Sequence, residues 1–402
     1  MIKSKIILLM GILSISINLS LTGCTNGKEE LNQSLIITDD VKKDSEPELK
    51  VISTEEFKFE DPIKSLNAKF IEKDKDSILI RVTAGDTVGK SILTKIKGNV
   101  VVNEEEKVIT DDGNLGVGKS FYVESLNDNK ALVTNWYNNE KFEVEKSLLS
   151  NENSRYILLE DYLIEFVDGA SWNNFTTSSI AWNKLTDGTN GIVKMPEDLD
   201  SALYASVIGD RLLVATTTIS SAEGFYSKLQ SSSEAIGYLL PEILLVIDLT
   251  NNEVIEKVTI GSFRDFKVVD SERIIFTLGK ENEEVIEMYN LNNKTRKELM
   301  KYSTVPGEGL IIFNGLEVFP SRDKIYYCED NGKMLSLKIA EINGMEIENV
   351  ITAYEAEKND AENFLASDIS IGIDEREIKI FNRALIDGIN QIDKLIKIKL
   401  SK

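Results

Sequence analysis

The stretch LLVIDLTNNEVIEKVTIG, Leu244 to Gly261, is a strand, a turn and a strand, and variants of that order return along the chain. Leu244 to Leu249 is an apolar, β-branched run, and Asn251-Asn252 follows as a turn pair that takes positive φ at little cost. Beyond the turn, Val254, Glu256, Val258 and Ile260 alternate with Ile255, Lys257 and Thr259, the period of a half-exposed strand, and Gly261 ends it. A chain written in such hairpins has to stack sheets rather than bundle helices.

The grammar recurs at once downstream. Phe266 to Met300 reads as a strand, a turn at Asp270-Ser271, strands from Arg273 and Val285, and a second Leu-Asn-Asn turn at Leu291 to Asn293. Asp323, Ile325, Met334 and Asn343-Gly344 repeat the order, and Asp374 and Ile378 occupy the same slots in the last copy. Leu212, Ile274, Ile325 and Ile378 open equivalent strands about 50 to 60 residues apart, close to the period of a four-stranded β-propeller blade. Upstream the pattern is fainter, with comparable openings at Ile78, Ala131 and Leu163. The expected fold class is all-β, a β-propeller of about seven four-stranded blades, with six or eight also fitting the spacing. Another repeated or sandwiched all-β fold stays open at this point.

The Leu244 to Gly261 hairpin resembles that of YVTN-type, WD40-like β-propellers, in which an apolar strand ends in a V-I-D-type step before a T-N turn and a second strand. The resemblance covers this hairpin closely and its neighbours loosely, and it implies a blade architecture rather than an activity. The final copy has only three clear strands, around Asp368 to Ile373, Glu377 to Leu385 and Gln391 to Leu400. Glu48 to Phe59 is strand-like and has no local partner. Pairing it with the final copy removes two open sheet edges, so the ring is expected to be closed by an N-terminal strand within a propeller domain at 48–402.

Residues 1–23 form an address label. Lys3 and Lys5 precede an apolar stretch from Ile6 to Leu21 that is short for a membrane span and diluted by Ser14, Ser16, Asn18 and Ser20. It ends in Leu-Thr-Gly-Cys, which resembles the lipobox of bacterial lipoproteins; the resemblance implies cleavage before Cys24 and a diacylglycerol on its thiol, anchoring the chain outside the bacterial cell membrane. A plain transmembrane anchor is the alternative. Residues 24–47 then form the lipidated cysteine and a polar, acidic tether. Without Lys3 and Lys5, the 46 basic residues become 44 against 67 acidic ones, a net charge of −23. That balance repels nucleic acid and anionic headgroups, so the lipid is the expected link to the membrane.

The chain contains 2 cysteines and 0 histidines. With Cys24 taken by lipid, Cys328 is left as a small buried hydrophobe. The absence of histidine excludes Ser-His-Asp and Cys-His catalysis and histidine-dominated zinc or haem sites. Asp111 to Gly116 and Asn127 to Lys130 have oxygen ligands for calcium, but without the twelve-residue loop pattern, and both read as polar turns. No catalytic residue, metal site or cofactor is assigned, and no carboxylate pair stands out for glycoside cleavage.

Two segments break the blade grammar. Asp168 to Gly188 sets Trp172, Phe175 and Trp182 among Asn, Ser and Thr, a composition suited to a sugar or protein contact, with packing of Trp182 between blades as its alternative. Thr218 to Glu242 is too long for a hairpin turn, and its Phe225, Tyr226 and Leu229 have the spacing of one face of a short projecting helix. The functional expectation is a lipid-anchored module that binds a surface protein, peptide or glycan through these loops. Its runner-up is a carbohydrate-active or calcium-dependent enzyme using carboxylates at the propeller channel.

Overall fold

The recurring turns are closed by their own Asp and Asn side chains. Asp270 accepts the amides of Glu272 and Arg273 at 2.9 and 2.8 Å, Asp248 that of Thr250 at 2.8 Å, and Asn290 those of Asn292 and Asn293 at 2.9 and 3.1 Å. These Asx turns satisfy amides that the ladders leave over, which is why Asp and Asn mark the blade corners. Asn127, raised above as a calcium ligand, accepts the Lys130 amide at 2.8 Å in the same way. Asn252 takes φ of 57° at the tip of the Leu244 hairpin.

The structure is a computed structural model that describes residues 49–402 except 66, 85–89, 109–113, 118–120, 128–129, 136–139, 146–153, 169–176, 232–238, 281–282, 304–311, 360–362, 373, 387 and 402. Among the described residues the strands are β1 (Val51–Lys64), β2 (Asn67–Glu72), β3 (Ser77–Ala84), β4 (Lys90–Lys97), β5 (Val100–Val108), β6 (Asn114–Val117), β7 (Phe121–Ser125), β8 (Lys130–Asn135) and β9 (Lys141–Glu145). They continue with β10 (Ser154–Leu159), β11 (Tyr162–Asp168), β12 (Thr177–Lys184), β13 (Asn190–Lys194), β14 (Leu199–Ile208), β15 (Arg211–Thr218), β16 (Ile243–Asp248), β17 (Glu253–Thr259), β18 (Phe263–Val268) and β19 (Arg273–Lys280). The last are β20 (Glu283–Asn290), β21 (Arg296–Ser303), β22 (Ile312–Val318), β23 (Lys324–Asp330), β24 (Met334–Asn343), β25 (Glu346–Glu357), β26 (Ile369–Ile371), β27 (Glu377–Ile386) and β28 (Ile389–Leu400).

Strand pairing groups these into seven four-stranded blades, β2 to β5 as blade 1, then each following set of four, with β26, β27, β28 and β1 as blade 7. The fold is therefore the expected β-propeller, closed by its N-terminal strand. The first strands of successive blades lie against one another, as β10 does against β6 and β14, and β18 against β14 and β22, so they surround the axis. Turns after the first and third strands of each blade open on one face of the disc, and connections after the second strand open on the other. One expected equivalence shifts: Ala131 opens the third strand of blade 2, not the second, because β7 is short and its neighbouring turns carry little apolar contrast.

Packing makes the ring. Seven separate buried clusters fill seven seams, from Ile71, Leu79 and Tyr122 between blades 1 and 2 to Phe57, Ile80, Phe381 and Leu395 between blades 7 and 1. At the closing seam β1 pairs antiparallel with β28, Val51 opposite Leu400 and Lys64 opposite Gln391, and also parallel with β5 through Lys58–Val100 and Phe59–Val101. Phe70 stacks on Phe381 with centroids 3.8 Å apart. Beside them the fully buried Lys379 ammonium lies 2.7 Å from Glu72 and 3.3 Å from Glu377.

A buried ammonium deprived of a close carboxylate is costly, whereas removing both partners together is often near neutral. Glu72→Ala is expected to destabilise the protein by about 3 kcal/mol in urea unfolding, and the double variant Glu72→Ala/Lys379→Met to recover most of that loss.

Candidate functional site

On β18 the sequence Phe-Arg-Asp-Phe-Lys-Val sets Asp265 and Lys267 two residues apart on one side of the strand, with Phe266 between them buried against Phe263 and Phe276. The charged pair faces a cavity of about 370 Å³ lined by the first strands of blades 3 to 6. Lys267 Nζ lies 2.9 Å from Asp265 and 2.7 Å from Glu317 of β22. Burial works to lower the Lys267 pKa, but Glu317 and Asp265 outweigh it and hold the ammonium above its ordinary value. Burial moves Glu317 in the other direction, raising its carboxyl by more than Lys267 draws it down, with Asp265 adding to the rise. The triad thus has two carboxylates for one ammonium.

Two turns line one end of this cavity. Arg322, after β22, lies 3.6 Å from Glu160, after β10, so an ion pair from blades 6 and 3 crosses the axis. Arg322 also donates to the Val269 carbonyl at 3.4 Å. Both residues have left-handed backbones, φ 52° at Glu160 and 65° at Arg322, which side chains other than Gly adopt at a cost. Tyr204 of β14 lines the same cavity and is 43% exposed, unlike Ala202 and Val207 on its strand. Burial, and next Asp265, raise its phenol.

The acids sought at the channel by the enzymatic alternative do converge there, but Asp265 and Glu317 bind the same ammonium instead of facing each other across open space. None of Glu160, Tyr204, Asp265, Lys267, Glu317 and Arg322 stood out in the sequence. They come from four blades, and the only local signal is Asp265-Phe266-Lys267, two opposite charges on one side of a short strand.

Of the residues singled out in the sequence, Cys24, Trp172 and Phe175 lie outside the described residues. The segment bearing Trp172 and Phe175 joins β11 to β12. Trp182 is a correction to the candidate binding set: it is 6% exposed, packs with Tyr162 and the blade 4 residues Leu245 and Ile247, and donates its indole N–H to Asn252 Oδ1 at 2.9 Å. This indole is spent on the seam between blades 3 and 4. Gly191 makes room for it, since a Cβ there would lie 1.9 Å from Asn252 Oδ1 and 2.7 Å from the Trp182 nitrogen.

Phe225 and Tyr226 lie in a helix, α1 (Ile219–Ser231), inserted between β15 and β16. Thr218 caps it by accepting the Ser221 amide at 3.2 Å, and the Ser221 hydroxyl donates to Glu242 at 2.8 Å. Ala222 is buried and Phe225 half-buried, while Glu223, Gly224 and Ser227 are exposed, so the helix is fastened by its first turn. Both irregular segments join second to third strands, in the neighbouring blades 3 and 4, and so leave from the same face of the disc. Among the described residues no helix is long and apolar enough to cross a membrane, and no cluster of acids or cysteines is arranged for a metal ion.

No protein-family model matches the chain, and no curated protein matches it in sequence. Among solved structures it is similar to the WD40 domain of Toxoplasma gondii coronin, with 11% identity and a TM-score of 0.49 over 88% of each chain. It is also similar to hydrazine synthase of Kuenenia stuttgartiensis, with 10% identity and a TM-score of 0.48 over 80% of this chain and 93% of that one. The Cps50 β-propeller domain of Myceliophteria thermophila is matched at 10% identity and a TM-score of 0.45, over 84% of this chain and 98% of that one. At such identities the likeness concerns the backbone alone, and the seven blades stand on the strand pairing and the seven seams.

Two outcomes follow from these placements. Gly191→Ala is expected to expel the Trp182 indole from Asn252 and cost roughly 2 kcal/mol, combining overpacking with a lost hydrogen bond, read by urea unfolding followed through tryptophan fluorescence. Cys328 is 1% exposed, and burial, with Asp368 and Glu329 adding to it, pushes its thiol well up. In a Cys24→Ser background it is expected to resist iodoacetamide until the protein unfolds.

Proposed function

We propose that the chain is a binding and scaffolding module held outside the bacterial cell membrane by a diacylglycerol on Cys24, and that its partner is another surface protein. The observation that carries this reading is α1. The ladder between β15 and β16 runs unbroken from Arg211–Asp248 to Thr216–Ile243 although residues 219–242 are inserted between them. A blade gains nothing in its own sheet from such an insertion, and a helix fastened by its first turn on a rigid disc is a recognition element. The segment with Trp172 and Phe175 joins the neighbouring blade on the same face.

The direction of the chain fits tethering. β1 begins at Val51 opposite Leu400, on the face of the first and third turns, whereas α1 leaves from the other face. The chain thus enters the disc at Val51 on the face opposite the one that carries α1. The excess of 67 acidic over 46 basic residues disfavours direct adhesion to anionic lipid, so the Leu-Thr-Gly-Cys motif supports attachment through the lipid instead.

In-cell crosslinking with mass spectrometry tests both halves. The native chain is expected to capture one surface protein, and the variant Trp172→Ala/Phe225→Ala/Tyr226→Ala to capture about tenfold less, the loss that central aromatics of an interface produce. Cys24→Ser is expected to release the chain from the membrane. Capture unchanged in the triple variant defeats the docking surface, and membrane retention of Cys24→Ser defeats the lipid anchor.

A further inference from the structure

The axial cavity is separate from α1: its residues lie on the first strands and on the turns of the opposite face. Its charges alternate in sign. Glu160, Asp265 and Glu317 interleave with Lys267 and Arg322, each cation held between 2.7 and 3.6 Å from an acid. An anionic ligand entering this space meets three carboxylates, and a cationic one meets two cations already seated beside the acids it needs. A neutral ligand rich in hydroxyls finds acceptors in Glu317 and Glu160 and donors in Lys267 and Arg322 without adding a charge. The open ring of Tyr204 supplies the other requirement, a flat aromatic face for the C–H side of a sugar ring.

Size and closure narrow the ligand. A cavity of about 370 Å³ is at the small end of ligand pockets, which run from roughly 300 to 1,000 Å³. The Glu160–Arg322 pair spans the axis at the turn end of this space, which favours a short ligand over a polymer threaded through the disc. We propose that this cavity binds a neutral saccharide of one or two rings, stacked on Tyr204 and hydrogen-bonded through its hydroxyls to Glu317, Glu160 and Arg322.

The test uses the full-length chain in a detergent without a sugar headgroup and reads binding by saturation-transfer NMR. Glucose, galactose, cellobiose and lactose are compared with glucosamine and galactosamine in protonated form and with glucuronate and galacturonate, which keep the ring and exchange the 2-hydroxyl for an ammonium or the C6 hydroxymethyl group for a carboxylate. At least one neutral sugar is expected to bind and its charged counterparts to bind at least about tenfold more weakly. Tyr204→Ala is expected to weaken the neutral sugar about tenfold, Tyr204→Phe to keep most of the affinity, and Phe225→Ala on α1 to leave it unchanged. Tyr204 is 43% exposed, and retention of the ring in Tyr204→Phe separates lost stacking from lost folding. The proposal is overturned if no neutral sugar binds, if an amino sugar or uronate binds as well, or if Tyr204→Ala leaves affinity intact. None of these results bears on capture of a protein by α1.

Discussion

The pairing of β1 with β28 is the interaction on which every other part of the disc depends. A propeller blade buries little by itself, because each sheet gives one side to the blade before it and the other to the blade after it. Seven seams hold seven clusters only if the last blade meets the first, and blade 7 has three strands of its own. β1 supplies the fourth strand and then reaches past it to β5, so the closing seam has main-chain hydrogen bonds from both sides. The Lys50 amide donates to the Ser401 hydroxyl and the Ser401 amide to the Lys50 carbonyl, each at 2.7 Å, which ties the chain ends of the disc together at that point.

The polar groups at this seam follow from the same arrangement. Blades 7 and 1 are distant in sequence, and a purely apolar seam would leave their relative height poorly specified. Lys379, fully buried between Glu72 and Glu377, has good partners in only one alignment of the two sheets. The buried pair of Arg383 and Asp368 does similar duty within blade 7, where Asp368 also accepts the Leu365 amide at 3.0 Å and sets the approach to β26. Such pairs contribute specificity more than stability.

Much of this was legible in the chain, and the limits have physical causes. The corners at Asn251-Asn252, Asp270-Ser271 and Leu291 to Asn293 were visible from their turn residues, whereas Asp248 and Asn290, whose side chains close two of them, end the preceding strands and did not stand out. Closure by an N-terminal strand was visible because a blade with three strands leaves an open edge. The parallel step onto β5 was not, since main-chain pairing between distant strands leaves no mark on residue type. Blade 2 was read out of step at Ala131 because a five-residue strand such as β7 carries too few alternations to fix its place. Trp182 was ambiguous for a different reason: Gly191 and Asn252, which make its slot, are contributed by a neighbouring strand and a neighbouring blade.

The axis was the least legible part, and the seams explain why. Since stability resides between blades, the inner strands owe the core only the side chains that turn toward a neighbour, such as Phe266 and Val207. The side chains between them are released from packing. Asp265 and Lys267 can sit on this strand because Lys267 pairs with Asp265 beside it and with Glu317 of the next blade, and Tyr204 can leave its ring open because nothing in the core requires it. A left-handed backbone at Glu160 and Arg322 is affordable for the same reason, the seams having fixed the turns that carry them. A ring closed at its rim thereby leaves its centre free to acquire chemistry.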